Sequence, residues 1–104
     1  PFLTAPSAVR SPWSLFRGDR PNLLLFGCEY LGHRTFLVRA MEMEGRKTRA
    51  TITSSERIQR AIETDYTGKI RQPLRSGKSR FRIELPAWGI AECRVQFRRP
   101  LSNN

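Results

Sequence analysis

From residue 22 onward, apolar and polar positions alternate in short runs broken by glycine and proline, the pattern of strands with one face buried. Residues 23–30 read as a first strand, with Leu24, Phe26, Cys28 and Tyr30 on one face. A turn at Gly32 leads to a second strand over 34–43, where Phe36, Val38 and Ala40 alternate with Leu37, Met41 and Met43. Apolar residues on both faces suit a central strand that is covered on its far side as well. Glu44-Gly45 makes the next turn. Residues 47–53 then predict a third strand, Ala50 and Ile52 inward and Arg49 and Thr51 outward.

The period changes at TSSERIQRAIETDYTGK. Thr53 and Glu56 have capping-box spacing, and Ile58, Ala61 and Ile62 fall on one stripe opposite Arg57, Arg60 and Thr64. Gly68 stands where a helix would stop. The pattern predicts one helix laid across the sheet. Residues 70–79 read as a basic loop around Pro73 and Gly77.

Alternation returns in KSRFRIELPAWGIAECRVQFRRP. Phe81, Ile83 and Leu85 share one side of the first run, Arg80, Arg82 and Glu84 the other; Ala91, Cys93, Val95 and Phe97 oppose Glu92, Arg94, Gln96 and Arg98 in the second. As a hairpin, the two runs keep their apolar faces together only with a five-residue loop, Pro86 to Ile90, which sets Ile83 opposite Cys93 and Arg82 opposite Arg94. Arg80, Arg82, Arg94 and Arg98 then line one outer face, with Glu84 beside Glu92. Like charges placed opposite one another are unfavourable unless a diagonal Arg–Glu network or an anionic ligand neutralises them. Trp88 at the loop tip either offers a stacking platform or folds under to cap the core. The expected fold is α+β: a small antiparallel sheet or partly open barrel of order β-β-β-α-β-β with one covering helix. It occupies residues 22–100, after an extended arm over 1–21 and before a frayed tail over 101–104.

The arm is rich in proline and serine, yet holds Trp13, Leu15 and Phe16, too apolar for a free tail. They fold back on the domain, or dock on a protein partner or a second copy. The arm carries Arg10 and Arg17 with no acid before Asp19, which leaves an organelle-targeting segment open; no apolar core of a secretory signal is visible. The longest apolar run, 23–26, is far short of the roughly 20 residues of a membrane helix, so a soluble, intracellular protein is expected, cytoplasmic or nucleoid-associated.

Composition sharpens the picture through charge. The 104 residues carry 19 Lys and Arg against 9 Asp and Glu, a formal net charge of +10. Sixteen of the basic residues are arginine, whose forked guanidinium suits phosphate. A polyanionic partner, DNA or RNA, is the expectation, although a generically basic surface has the same composition. The candidate contacts are Arg49, Arg80, Arg82, Arg94 and Arg98 on the sheet, Lys69, Arg71, Arg75 and Lys78 in the loop, and Trp88. Cys28 and Cys93 are too far apart in sequence to suggest a metal cluster, and His33 is the single histidine. Neither a metal nor a cofactor is expected.

Catalytic motifs fail on spacing. SGKS at 76–79 resembles a phosphate-binding loop, but Gln72 stands where that motif needs its first glycine. FRIELPAWGIAECRVQFRR resembles the last strands of cyclic-dinucleotide-sensing barrels, with DYTGK in place of their Asp-x-Ser motif. It also resembles the final hairpin of small ribonuclease toxins, whose N-terminal helical pair has no counterpart here. Each likeness covers a minor part of the chain and assigns nothing. The favoured function is non-enzymatic nucleic-acid binding. The alternatives are an adaptor or inhibitor docking by Trp13, Leu15 and Phe16 or by its arginine face, and a metal-independent ribonuclease using Glu84, Glu92, His33 and Arg82.

Overall fold

A computed structural model describes residues 15–65 and 67–99. Among these there is no helix: eight strands account for the regular structure. They are β1 (Phe16–Gly18), β2 (Leu23–Gly32), β3 (Thr35–Glu42), β4 (Thr48–Ser54), β5 (Ile58–Thr64), β6 (Ile70–Pro73), β7 (Arg80–Leu85) and β8 (Ile90–Phe97). A small antiparallel sheet has the order β1-β4-β7, and a large one the order β2-β3-β8-β5-β6.

The expected α+β class with a covering helix is therefore wrong; the protein is all-β. Residues read as helical end β4, turn, and form β5. A bulge explains the misleading stripe. Ile58 faces Phe97 and Arg60 faces Gln96, so Gln59 is an extra residue on β5. The insertion puts Ile58 and Ala61, three apart, on the same buried face and so imitates helical spacing. The apparent cap is a turn, in which the Ser54 hydroxyl donates to the Glu56 carbonyl. Gly68, at φ 89°, serves the β5–β6 turn, whose closure is Gly68 N–H to Asp65 O at 2.9 Å. A left-handed glycine ends helices and makes turns alike.

The two sheets pack face to face. Ala50, Ile52, Phe81, Ile83 and Leu85 of the small sheet meet Phe36, Val38, Ala40, Ala61, Cys93, Val95 and Phe97 of the large one. Phe16 stacks on Phe97 at 5.8 Å between ring centroids and meets Phe36 and Phe81 edge-on. Leu15 and Phe16, 2% and 7% exposed, thus belong to the core, and the first strand lies inside the stretch expected to be an arm. On β2, a second bulge at Phe26 splits the expected face: Leu24 and Phe26 are exposed while Leu23, Leu25 and Cys28 pack on the core, and Tyr30, though exposed, has its ring 5.1 Å from that of Phe36.

The final hairpin also gives way. β7 pairs with β4, and β8 lies between β3 and β5, so the chain changes sheets at residues 86–89. Ile83 faces Ala50, and Cys93 faces Val38 and Glu63. Both strands keep their expected inward residues, because alternation fixes the facing of a side chain and not its strand's neighbour.

The crossing is anchored by Glu42, which is 0% exposed. Its carboxylate accepts the N–H groups of Glu44, Gly45, Arg46 and Trp88 and the Asn22 side-chain amide, at 2.7–2.9 Å. Burial pushes its pKa up, but the hydrogen bonds from Trp88, Asn22, Glu44 and Arg46 outweigh burial and hold it at about 2. Asn22 also donates to Thr48 Oγ1 at 2.7 Å, tying the start of β4 to the same carboxylate. Trp88 takes φ 60° with its N–H on Glu42, and its indole lies over Gly45, where a Cβ would come within 2.8 Å of Nε1.

Candidate nucleic-acid interface

Alternation on the small sheet sends Arg17 of β1, Arg49, Thr51 and Thr53 of β4, and Arg80, Arg82 and Glu84 of β7 outward. Register sets them in rows: Arg17, Thr53 and Arg80 in one, Thr51 and Arg82 in the next, Arg49 and Glu84 in the third. Arg80 and Arg82 are about 6.8 Å apart along their strand, and Arg17 and Arg80 about 10 Å apart across two strand spacings. The threonines between them are short, so the guanidinium groups stand clear of the sheet.

The loop after β6 adds to this face because it runs along the open edge of β7. Arg82 N–H donates to Arg75 O at 3.0 Å, Gly77 N–H to Arg80 O at 2.8 Å, and Ser76 bridges to Phe81. Arg75 is thereby brought to Arg80 and Arg82, and with Thr51 they line a cleft of about 320 Å³. A second cleft, about 270 Å³, lies between Arg49, Gln72, Arg75, Arg82 and Glu84. A third, about 390 Å³, is lined by Arg20, Arg46, Lys47 and Arg49. Arg75 and Arg82 are common to the first two, and Arg49 to the last two. The clefts therefore adjoin in one cationic band.

The carboxylates near this band are engaged. Glu84 holds Arg49 at 3.0 Å, Glu44 holds Arg46 at 2.6 Å, and Asp19 accepts the Thr51 N–H at 2.8 Å. Among the described residues, Arg17, Lys47, Arg75, Arg80 and Arg82 form no ion pair.

Of the expected contacts, the structure brings together Arg49, Arg75, Arg80 and Arg82. Arg94 is on the outer face of the large sheet. Arg98 lies beyond β8, in a cleft with Glu56, Arg57 and Arg99. Lys69 belongs to the β5–β6 turn, and Arg71 is drawn toward Glu63 at 3.6 Å. Lys78 is exposed in the loop, its carbonyl accepting the Ile58 N–H. Trp88 is 64% exposed at the Glu42 corner and lines none of the three clefts. Arg17, Arg20, Arg46 and Lys47 were missed. The signal for Arg17 was its place beside Leu15 and Phe16, a short strand hidden among prolines.

The ribonuclease constellation does not converge. Glu84 and Glu92 are on the outer faces of different sheets, and His33 sits in the β2–β3 turn beside Gln96, roughly 13 Å along β8 from Glu92. In place of the diagonal Arg–Glu network that was one of the two alternatives, the glutamates form separate pairs, Arg49–Glu84 and Arg39–Glu92. Leu15 and Phe16 are buried and offer no partner surface; Trp13 lies outside the described residues. Among the described residues no group of His, Cys, Asp and Glu could hold a metal, and no helix is long and apolar enough to cross a membrane. Both cysteines are free; burial, with the charges of Glu63 and Glu92, pushes the Cys93 thiol up to about 12. Comparison with protein families, curated proteins and solved structures finds no match to this chain.

Proposed function

We propose that the protein binds nucleic acid along the outer face of the small sheet, through the phosphate backbone. The observation that carries this reading is the run of adjoining clefts sharing Arg49, Arg75 and Arg82, a track for an extended polyanion rather than a pocket for one group. Arginines without carboxylate partners supply affinity and steering by displacing counterions. Among the described residues this face has no exposed aromatic ring for base stacking and no recognition element for a groove, which favours binding independent of sequence. A protein partner is the weaker reading for this surface, since protein interfaces centre on apolar contacts. The large exposed apolar residues Leu24, Phe26 and Ile90 belong to the other sheet. An intracellular site of action, cytoplasmic or nucleoid-associated, is part of the same proposal.

The test is fluorescence anisotropy with labelled single-stranded and duplex DNA and RNA across a salt series, wild type beside R80A/R82A. Affinity that falls steeply with salt and drops in the double variant is the expected result. Weak, salt-insensitive binding that ignores both arginines would overturn the proposal.

A further inference from the structure

The outer face of the large sheet carries a second cationic feature, unrelated to the band. Arg94 on β8 stands in register between Leu37 of β3 and Ile62 of β5. Leu37 is 8% exposed and Ile62 half-buried, so the aliphatic stem of Arg94 runs between apolar walls. The β5–β6 turn passes above it at Gly68, where a Cβ would stand 2.9 Å from Arg94 Nη2. Arg94 Nε is buried with no hydrogen-bond partner, and Arg94 makes no ion pair among the described residues.

The carboxylates closest in register are taken. Glu92 pairs with Arg39 at 3.2 Å, and Glu63 accepts from Gln72 at 3.0 Å and faces Arg71. An Nε–H buried without an acceptor is unfavourable, and a counter-anion against the half-buried guanidinium offsets part of that cost. A second cation shares the space. Arg60 and Arg94, with Thr35, Ile62 and Gln96, line a cleft of about 180 Å³, and none of these described residues is a carboxylate. Thr35 Oγ1 and Gln96 Nε2 both donate to the His33 carbonyl, at 3.1 and 3.3 Å. That wall is held in place, and the two guanidinium groups remain as donors for a ligand.

We propose that this cleft binds the phosphate group of a small molecule, as free inorganic phosphate or as the end of a phosphate monoester. The cleft has the room of roughly six waters at about 30 Å³ each, enough for a tetrahedral oxyanion. It is smaller than the roughly 300 Å³ at which pockets begin to enclose whole ligands. Two arginine forks match the oxygen geometry of such a group, and Ile62 forms the apolar side of the cleft.

The test titrates inorganic phosphate, and in parallel ribose 5-phosphate, into ¹⁵N-labelled protein while following the arginine Nε–Hε signals. Arg94 and Arg60 are expected to move along a saturable curve with a midpoint of about 1 mM, some 4 kcal/mol of binding. R94Q is expected to raise that midpoint about tenfold, R60Q and R94K by less, each with an unchanged circular dichroism spectrum. A lower midpoint for ribose 5-phosphate assigns the site to a monoester, and equal midpoints assign it to free phosphate. R80A/R82A keeps the Arg94 curve, and R94Q keeps oligonucleotide binding, so this proposal and the nucleic-acid reading fail separately. An Arg94 signal that stays still, or drifts linearly with every other arginine, overturns the proposal; so does an unchanged midpoint in R94Q, R94K and R60Q alike.

Discussion

Glu84 faces Arg49 across β7 and β4 and holds it at 3.0 Å, both side chains well exposed at 59% and 71%. Such a pair contributes less than about 1 kcal/mol to stability, so Glu84→Gln leaves the fold intact. Its effect on binding has the opposite sign to most substitutions in a site. Four arginines of the face, Arg17, Arg75, Arg80 and Arg82, are free of carboxylates among the described residues. If each neutralises one phosphate of a single strand at about 0.7 apiece, log K falls against log salt with a slope of about −2.8. Removing Glu84 frees Arg49 as a fifth contact and steepens the slope to about −3.5. Measured from 1 M salt, where this contribution vanishes, one contact is worth about fivefold at 0.1 M. E84Q should therefore bind a labelled oligonucleotide about fivefold tighter than wild type at 0.1 M and equally at 1 M. R80A/R82A should bind about 25-fold weaker at 0.1 M, with a slope near −1.4. Anisotropy titrations at four or more salt concentrations read both numbers. An E84Q protein with unchanged slope and unchanged affinity would mean that phosphates do not reach Arg49, and that the arginines are the solvated back of a sheet.

Glu42→Gln tests the buried anchor. Because the folded pKa of Glu42 is held at about 2 against an ordinary 4.5, its contribution is complete above pH 4.5 and disappears as pH falls toward 2. Wild type should lose stability across that interval, helped by Asp65, whose pKa is lowered mainly by the Thr67 hydroxyl. E42Q should be less stable at neutral pH, with a flatter acid dependence in thermal melts; an equally steep acid limb in E42Q would refute the assignment. Phe97→Ala, at a side chain 0% exposed and packed on Phe16 and Phe36, should lower unfolding free energy by about 3–5 kcal/mol in urea titrations. A loss under about 1 kcal/mol would mean the sheets do not close over it. Cys93, its thiol pushed up to about 12 by burial and neighbouring carboxylates, should resist alkylation at pH 8 until urea unfolds the chain, whereas native labelling at the rate of a free thiol would place it at the surface.

Strand alternation made five strands legible almost to their ends; a bulge hid β5, and β1 and β6 were too short to stand out among prolines and basic residues. An extra residue shifts every later side chain by one position, and a reader counting in twos or in three-and-fours has no way to see it from residue types. At Gln59 the shift turned a strand into an apparent helix; at Phe26 it put Leu24 and Phe26 on the face opposite Cys28. The β-branched residues around the first bulge, Ile52, Thr53, Ile58, Ile62 and Thr64, were a competing signal that favours strands. A capping-box spacing and a terminal glycine outweighed them, yet both features also occur in turns.

The site depended on something alternation does not encode. The two arginine-bearing runs of the last third are adjacent in sequence, and a hairpin is the short route between adjacent strands. The chain avoids it because the residues between them, Pro86 to Gly89, are drawn to the end of β3. There the Trp88 N–H reaches Glu42 and the Gly89 carbonyl accepts the Glu42 N–H. A single buried carboxylate thus turns the chain from one sheet to the other and separates Arg82 from Arg94. What looked like one row of like charges becomes two. Arg80 and Arg82 gain Arg17, Arg49 and Arg75 as neighbours from strands and a loop distant in sequence. Arg94 is left among apolar side chains with Arg60. Under the two proposals, the charges that sequence counted as a single patch divide between ligands of different size: an extended polyanion on the face of the small sheet, and one phosphate group in the small cleft of the large sheet.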